Sequence, residues 1–186
     1  MEVQTLGPDV QLDLMLGGTC DGVWRQQIAL PLLAHAPHVN WFNPEKPPDA
    51  WEPSMRASEE GAKTQARFLL WVIAPTSSSL ASLVEVSRFL YGLRDHQRLV
   101  LVMGPDIPEG TVIEGQLLAG SSLDAVNRCR GYARDMVRLR IWDQPCLTMF
   151  WVAEPGDSAA GIYPTTDAAI EAAMRHILNQ LHHGWA

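Results

Sequence analysis

Cysteine, positive charge and long apolar runs are all scarce in this sequence, and each scarcity argues against a class of protein. The three cysteines, Cys20, Cys129 and Cys146, are widely spaced and form no CxxC pair. This argues against a disulfide framework or a zinc site and favours a reducing compartment. Charged residues make up 19% of the chain, and the formal net charge is -7. No diffuse basic surface for a nucleic acid backbone is therefore expected.

The apolar runs are broken by Gly, Pro or charged residues well before the roughly 20 residues that a membrane span requires. The first ten residues carry Glu2 and Asp9 and lack the basic start and apolar run of a secretory signal. We therefore expect a cytoplasmic protein that has no contact with a membrane.

Hydrophobic residues, in contrast, are plentiful. They make up 47% of 186 residues, which is enough to build the core of one domain over residues 1–186. The sequence also holds many tryptophans, a residue that anchors cores, pockets and subunit contacts. We interpret most of them as core and a minority as lining an interface or a cleft: Trp24, Trp41, Trp51, Trp71, Trp142, Trp151 and Trp185.

The first part of the chain alternates predicted strands and helices. Residues 11–16 (QLDLML) indicate a strand that runs into Gly17 and Gly18, where a loop needs permissive backbone angles. Apolar spacing predicts a helix over 24–36, and 39–42 is a short second strand. Four prolines make 44–53 a loop long enough to overhang a cleft.

The central part continues the same alternation. Residues 57–65 form a polar helical stretch, and 68–75 (FLLWVIAP) has the apolar character of a buried parallel strand. Thr76 to Ser79 supply N-cap candidates for a helix that begins near Leu80, and 99–103 (LVLVM) is another buried strand. The order predicts an α/β fold with a doubly wound, mostly parallel sheet of about five strands flanked by helices. Ligands of such sheets bind beyond the carboxyl ends of the strands.

Beyond Pro108 the pattern is less regular. It predicts a helix over 123–136, strands over 137–142 and 147–152, a Gly/Ala/Pro loop over 154–164 and a final helix over 166–181.

Several short segments together resemble the nucleoside 2-deoxyribosyltransferase-like family. They are residues 16–20 (LGGTC) with Trp24 and Arg25, residues 41–44 (WFNP), Trp51, and residues 68–75 followed ten residues later by Glu85. Each segment is short, and it is their order and spacing that is specific. The resemblance covers roughly residues 11–103. The part from about residue 108 has no counterpart that we can align, and its role as a cap, partner surface or oligomer contact stays open.

The resemblance implies an N-glycosidase or deoxyribosyltransferase. In this chemistry a glutamate attacks the anomeric carbon of a nucleoside or nucleotide, the base leaves, and water or a second base resolves the glycosyl enzyme. A carboxylate beside an oxocarbenium-like centre acts in the same way in retaining glycosidases. Glu85 matches the position of the family nucleophile. The alternative is that Glu85 is an ordinary solvated residue of an amphipathic helix.

The resemblance also implies which residues bind the substrate. Gly17, Gly18 and Thr19 match the first loop of the family, whose amides serve a sugar or phosphate group, although a tight turn explains two glycines equally well. Arg25 is a candidate partner for a ligand phosphate or a cleft carboxylate, the alternative being solvation. Either Trp24 or Trp51 is expected to stack on the base. The remaining candidates for substrate binding are Asn43, Arg67 and Ser79.

Two expected acidic positions are not retained. The family usually carries an aspartate directly before the third strand, where this chain has Arg67. If Arg67 pointed into the site, it would pair with Glu85, lower the pKa of that carboxylate and hinder attack. The second acidic position falls within Thr76 to Ser79, which contain no carboxylate. Candidate substitutes in neighbouring loops are Asp21, Asp49 and Asp106.

Other kinds of site have weaker support. The six histidines show no HExxH pattern, so no metal is expected. Ser77 to Ser79 lack the glycines of a nucleophile elbow. No cofactor is expected, and the family resemblance implies a homodimer. The second hypothesis is a catalytically inactive relative that binds a nucleotide-like ligand or a protein partner; such a protein is free to hold an arginine at position 67.

Overall fold

The computed structural model describes residues 11–19, 23–44, 53–113, 115–141, 143–152 and 162–183. Its elements follow one another along the chain as β1 (Leu14–Gly18), a π-helix (Arg25–Ala29), α1 (Leu30–Ala34), β2 (Trp41–Phe42), α2 (Pro53–Gln65), β3 (Phe68–Ile73), α3 (Leu80–Gly92), β4 (Arg98–Met103), β5 (Val112–Ile113), β6 (Gln116–Leu117), α4 (Gly120–Ile141), β7 (Leu147–Val152), β8 (Ile162–Tyr163) and α5 (Thr166–His183).

Six of these strands form one sheet in the order β2, β1, β3, β4, β7, β8, and every neighbouring pair is parallel. The chain winds outward from β1 to β2 and then in the opposite direction from β3. The fold is therefore the doubly wound α/β architecture that the sequence predicts, with six strands in place of about five. Its topological switch point lies between β1 and β3, at the carboxyl ends of the strands, where sheets of this kind usually bind their ligands.

Alternating side chains of the central strands divide the core into two layers. In β3, Phe68, Leu70 and Val72 face one layer, while Leu69, Trp71 and Ile73 face the other. The first layer packs against α5 and the π-helix, and the second packs against α2, α3 and α4. Because both faces are covered, the strands are apolar at nearly every position, as is typical of parallel sheets.

The structure corrects the sequence prediction for residues 137–142. The alternation of Val137, Arg138, Leu139, Arg140 and Ile141 indicates a strand, but these residues form the last turns of α4. Val137 is fully buried against the second layer while Leu139 is exposed. Five residues fit both periods, and continuity with the preceding amphipathic helix outweighs the local alternation.

Other boundaries shift by a few residues. The strand predicted over 11–16 lies at Leu14–Gly18, so the two glycines belong to the strand rather than to the loop. The helix predicted over 24–36 begins as a π-helix that continues directly into α1, and Pro31 lies in the first turn of α1, just after the change from π- to α-helix. The short hairpin of β5 and β6 and the edge strand β8 were not predicted. No helix within the described residues has both the length and the apolar character needed to cross a membrane.

Candidate functional site

The switch point of the sheet is occupied by Thr19, the residue that directly follows β1. Its amide donates to the carbonyl oxygen of Val72 at 2.7 Å, and its side-chain oxygen accepts the amide of Ala74 at 3.0 Å. Its hydroxyl also shares a 2.7 Å hydrogen bond with the hydroxyl of Ser79. Thr19 is 1% exposed. Its hydroxyl therefore joins the ends of β1 and β3 to the start of α3 instead of facing an open crevice.

Ser79 stands at the N-cap of α3, but it does not cap the helix with its side chain. Its φ of 53° is left-handed, and no side-chain hydrogen bond to the helix amides is formed. The hydroxyl contacts Thr19 across the crevice instead. The predicted N-cap position is correct, whereas the predicted capping role is not.

Trp24 and Arg25 close the same end of the sheet. The indole nitrogen of Trp24 donates to the carbonyl oxygen of Thr19 at 3.1 Å, and Nη1 of Arg25 donates to the same oxygen at 2.8 Å. The guanidinium of Arg25 lies 4.4 Å from the centre of the Trp24 ring and is fully buried. Arg25 is therefore not a solvated residue, and in this structure both side chains hold the loop after β1.

Glycine is needed at positions 17 and 18 for two different structural reasons. Gly17 pairs with Trp71 across β1 and β3, and a Cβ at Gly17 would lie 2.0 Å from the Trp71 ring. The indole occupies the space that a side chain at position 17 would need. Gly18 has a φ of 99°, and a Cβ there would meet the carbonyl oxygen of Val72. Packing and backbone conformation thus account for both glycines.

Glu85 lies in the second turn of α3, on the layer that contains Trp71. Its carboxylate accepts a short hydrogen bond from the ammonium of Lys63 in α2. The same ammonium contacts Glu59 at 2.8 Å and Glu60 at 3.0 Å, and lies 5.8 Å from the centre of the Trp71 ring. We call Glu59, Glu60, Lys63 and Glu85 the α2/α3 charge cluster. It brings three carboxylates to one buried cation.

Burial within the charge cluster is uneven. The side chain of Lys63 is 5% exposed, those of Glu59 and Glu85 are 18% and 26% exposed, and that of Glu60 is 41% exposed. Glu60 also accepts a 2.7 Å hydrogen bond from Arg88 on the solvent side. Glu85 is therefore neither fully solvated nor sealed in the core.

The charge cluster shifts the protonation of its members. Burial raises the pKa of Glu85 above its usual value, while the hydrogen bond and charge of Lys63 limit that rise. Burial alone would lower the pKa of Lys63, but hydrogen bonds to Glu59, Glu85 and Glu60 outweigh it and raise that pKa. The hydrogen bond from Arg88, followed by that from Lys63, lowers the pKa of Glu60. The result is a basic carboxylate, Glu85, next to a cation that stays charged.

Arg67 is not part of this site. It precedes β3 at the amino edge of the sheet, where Nη1 contacts the carboxylate of Asp13 at 3.3 Å. The pairing with Glu85 that was expected if Arg67 pointed into the site does not form, since Arg67 contacts Asp13. Lys63, in the last turn of α2, makes the contact with Glu85 instead.

Two of the remaining candidates, Asn43 and Asp106, follow the carboxyl ends of β2 and β4. Asn43 is half-buried directly after β2. Asp106 forms a short ion pair with Arg134 of α4, and this contact does not involve the charge cluster. Trp51, Asp21 and Asp49 lie outside the described residues.

Sequence reasoning missed two buried cations. Lys63 was taken as part of a polar helical stretch; the spacing of Glu59 and Lys63 at i and i+4 was a visible signal, but their contact with α3 was not. Arg130 of α4 is fully buried, and its guanidinium donates to four carbonyl oxygens at the ends of β3 and β4, the shortest being that of Pro105 at 2.7 Å. Nothing in the local sequence of α4 separates Arg130 from its solvated neighbours.

Within the described part of the chain, no group of three or more His, Cys, Asp or Glu side chains is arranged to hold a metal ion. No family model matches the sequence, and no curated protein matches it.

Proposed function

We propose that this chain is a nucleoside or nucleotide N-glycosidase of the deoxyribosyltransferase type, with Glu85 as its nucleophile. The observation that supports the proposal is the α2/α3 charge cluster. The partly buried carboxylate of Glu85 and a second carboxylate, that of Glu59, both contact the ammonium of Lys63. Retaining glycosidases use two carboxylates, one as the nucleophile and one as the acid and base.

In the proposed reaction an oxygen of Glu85 bonds to the anomeric carbon as the C–N bond breaks, and the base leaves with the bonding electron pair and takes up a proton from solvent water. Water then attacks the same carbon, the sugar departs with the oxygen of that water, and the carboxylate of Glu85 is restored. In this proposal Glu59 accepts the proton released by the water and returns it to solvent. It supplies the second carboxylate that is missing from residues 76–79.

Burial favours this role for Glu85. A carboxylate whose pKa is raised by burial is more basic and more nucleophilic than one in water, provided that it stays ionised. Lys63 opposes protonation of Glu85 by its charge, but it also engages Oε1 of that carboxylate, so the oxygen that attacks in this proposal is Oε2. The exposed fraction of Glu85, 26%, leaves the side chain within reach of a ligand.

The second candidate is a catalytically inactive relative that binds a nucleotide-like ligand or a protein partner. It is favoured by the carboxyl edge, where Trp71 fills the space over Gly17 and the hydroxyl of Thr19 is engaged by Ser79 and Ala74. These groups are therefore engaged within the protein and are not free to contact a sugar.

The experiment is incubation with deoxynucleosides, nucleotides and NAD, followed by chromatography for free base. The enzyme is expected to release base from at least one substrate, and Glu85→Gln is expected to lose about 1,000-fold or more in rate, because removal of a covalent nucleophile removes the favoured route. Glu171→Gln is the matched control, an exposed glutamate of α5. No base release from the wild type, with tight binding of a nucleotide, would favour the inactive relative.

A further inference from the structure

Lys63 is the buried cation of the α2/α3 charge cluster. Its side chain is 5% exposed, its ammonium lies 5.8 Å from the centre of the Trp71 ring, and all three of its carboxylate contacts are within 3.0 Å. Replacing a buried ion pair by an apolar side chain of similar size is often neutral for stability. Packing alone therefore does not account for a lysine at this position.

The three carboxylates differ in how much they depend on Lys63. Glu59 and Glu60 lie on the same helix as the lysine, four and three residues away respectively, and Glu60 has a second partner in Arg88. Glu85 comes from a different helix, and Lys63 is the cation it contacts among the described residues. The ammonium is thus the group that fixes the carboxylate of Glu85 relative to α2.

We propose that Lys63 is a positioning residue for Glu85. Its ammonium holds the carboxylate in one orientation and in its charged form, ready to attack the sugar. This inference rests on the proposed function for its catalytic part, while the coupling between Lys63 and Glu85 is a property of the protein with or without a substrate.

Loss of the cation would have two consequences for Glu85. The carboxylate would be free to rotate towards solvent, and it would face Glu59 and Glu60 without a positive charge between them. Like charges and burial both favour the protonated form. Among the described groups, the titratable side chains that share the site are Glu59, Glu60 and Lys63 from α2 and Arg88 from α3.

The kinetic test compares kcat and KM for base release across pH in the wild type, Lys63→Met, Lys63→Arg and Arg88→Met. Lys63→Met is expected to lower kcat at neutral pH by about 10- to 100-fold, the usual effect of losing a hydrogen bond to a charged group. The acidic limb of its pH profile should move to higher pH, with KM changed by less than about threefold. Lys63→Arg should recover most of kcat, and Arg88→Met should leave the acidic limb unchanged. An unmoved limb, or an effect confined to KM, would overturn the proposal.

A titration that needs no activity separates this proposal from the proposed function. The side-chain carboxyl of Glu85 is followed by carbon-13 NMR in the same full-length proteins. Its midpoint is expected at higher pH in Lys63→Met than in the wild type, and an unchanged midpoint refutes the coupling even if no nucleoside is ever cleaved. Should Lys63→Met not fold, Lys63→Met/Glu59→Gln removes the cation together with one stranded carboxylate. A midpoint higher than in the wild type is again expected, and an equal or lower midpoint contradicts the proposal.

Discussion

Both faces of the sheet are covered by helices, but the side chains that line the two faces differ. The face covered by α5 is lined by Ala169, Ile170, Ala173, Met174 and Ile177, all at most 1% exposed. The face covered by α2 and α3 is as apolar around Trp71 and Phe89, but it also holds the α2/α3 charge cluster at its margin. Helix packing alone requires only the first arrangement.

The difference indicates where function is to be sought. Interior charges are costly unless they are paired, and they persist where a protein uses them. The residues under α5 have the composition of a scaffold, while the π-helix on the same layer carries the buried Arg25, which bonds to the carbonyl oxygen of Thr19. The α2/α3 face combines a buried lysine, a half-buried glutamate and a large aromatic ring, which together exceed what stability demands.

The largest effect should come from placing a charge on the scaffold face. Met174→Lys inserts an ammonium into a fully buried apolar position with no carboxylate beside it, and is expected to cost about 4 kcal/mol of the free energy of unfolding or to prevent folding. Denaturant unfolding measures this cost. Asn179→Lys, an exposed position of the same helix, should change stability by less than about 0.5 kcal/mol. If both substitutions changed the free energy of unfolding by the same amount, the proposed difference between the two faces would be wrong.

A smaller effect is expected where Trp71 covers Gly17. Gly17→Ala brings a methyl group into contact with the indole at 2.0 Å and should destabilise the protein by roughly 3 kcal/mol through overpacking. Trp71→Leu vacates that space and loses no hydrogen bond, since the indole nitrogen has no partner among the described residues. In a double-mutant cycle the two changes should therefore cost less together than the sum of each alone. If the two destabilisations simply add, the Trp71 ring is not the reason for a glycine at position 17.

The smallest effect concerns the pH dependence of the scaffold face. Burial lowers the pKa of His176, which packs edge-on against Phe150 with ring centres 5.8 Å apart. A histidine with a depressed folded-state pKa contributes stability that is present above its unfolded pKa of about 6.5 and is lost as pH falls through that value. Thermal unfolding between pH 7.5 and pH 5 should show a decline of under about 1 kcal/mol from this residue. The same decline in His176→Gln would assign it to other groups.

Much of the fold could be predicted from local patterns. The apolar runs at Phe68–Ile73 and Arg98–Met103, together with the glycine and serine positions between elements, identified the parallel strands and the winding of the sheet. The prediction was wrong at residues 137–142, because five alternating residues satisfy a helix end as well as a strand. The edge strand β8 has two residues and no pattern to detect.

The candidate site, like the fold, could be predicted from the sequence only in part. Glu85 could be singled out only through the family resemblance, while its place on α3 follows from the helix that begins at Leu80. Its partner could not, because whether Arg67 or Lys63 reaches Glu85 depends on how α2 and α3 lie side by side over Trp71. The same holds for Thr19, whose hydroxyl meets Ser79 sixty residues away along the chain.

The sequence by itself determined the element order, the parallel sheet and the helix that carries Glu85, because periodicity and turn residues act over short stretches of chain. Only the tertiary structure decided which cation neutralises that carboxylate, which ring fills the space above Gly17 and which hydroxyls join the strand ends. Those choices depend on the distances between side chains of different elements, and these distances are set by the packing of the two layers.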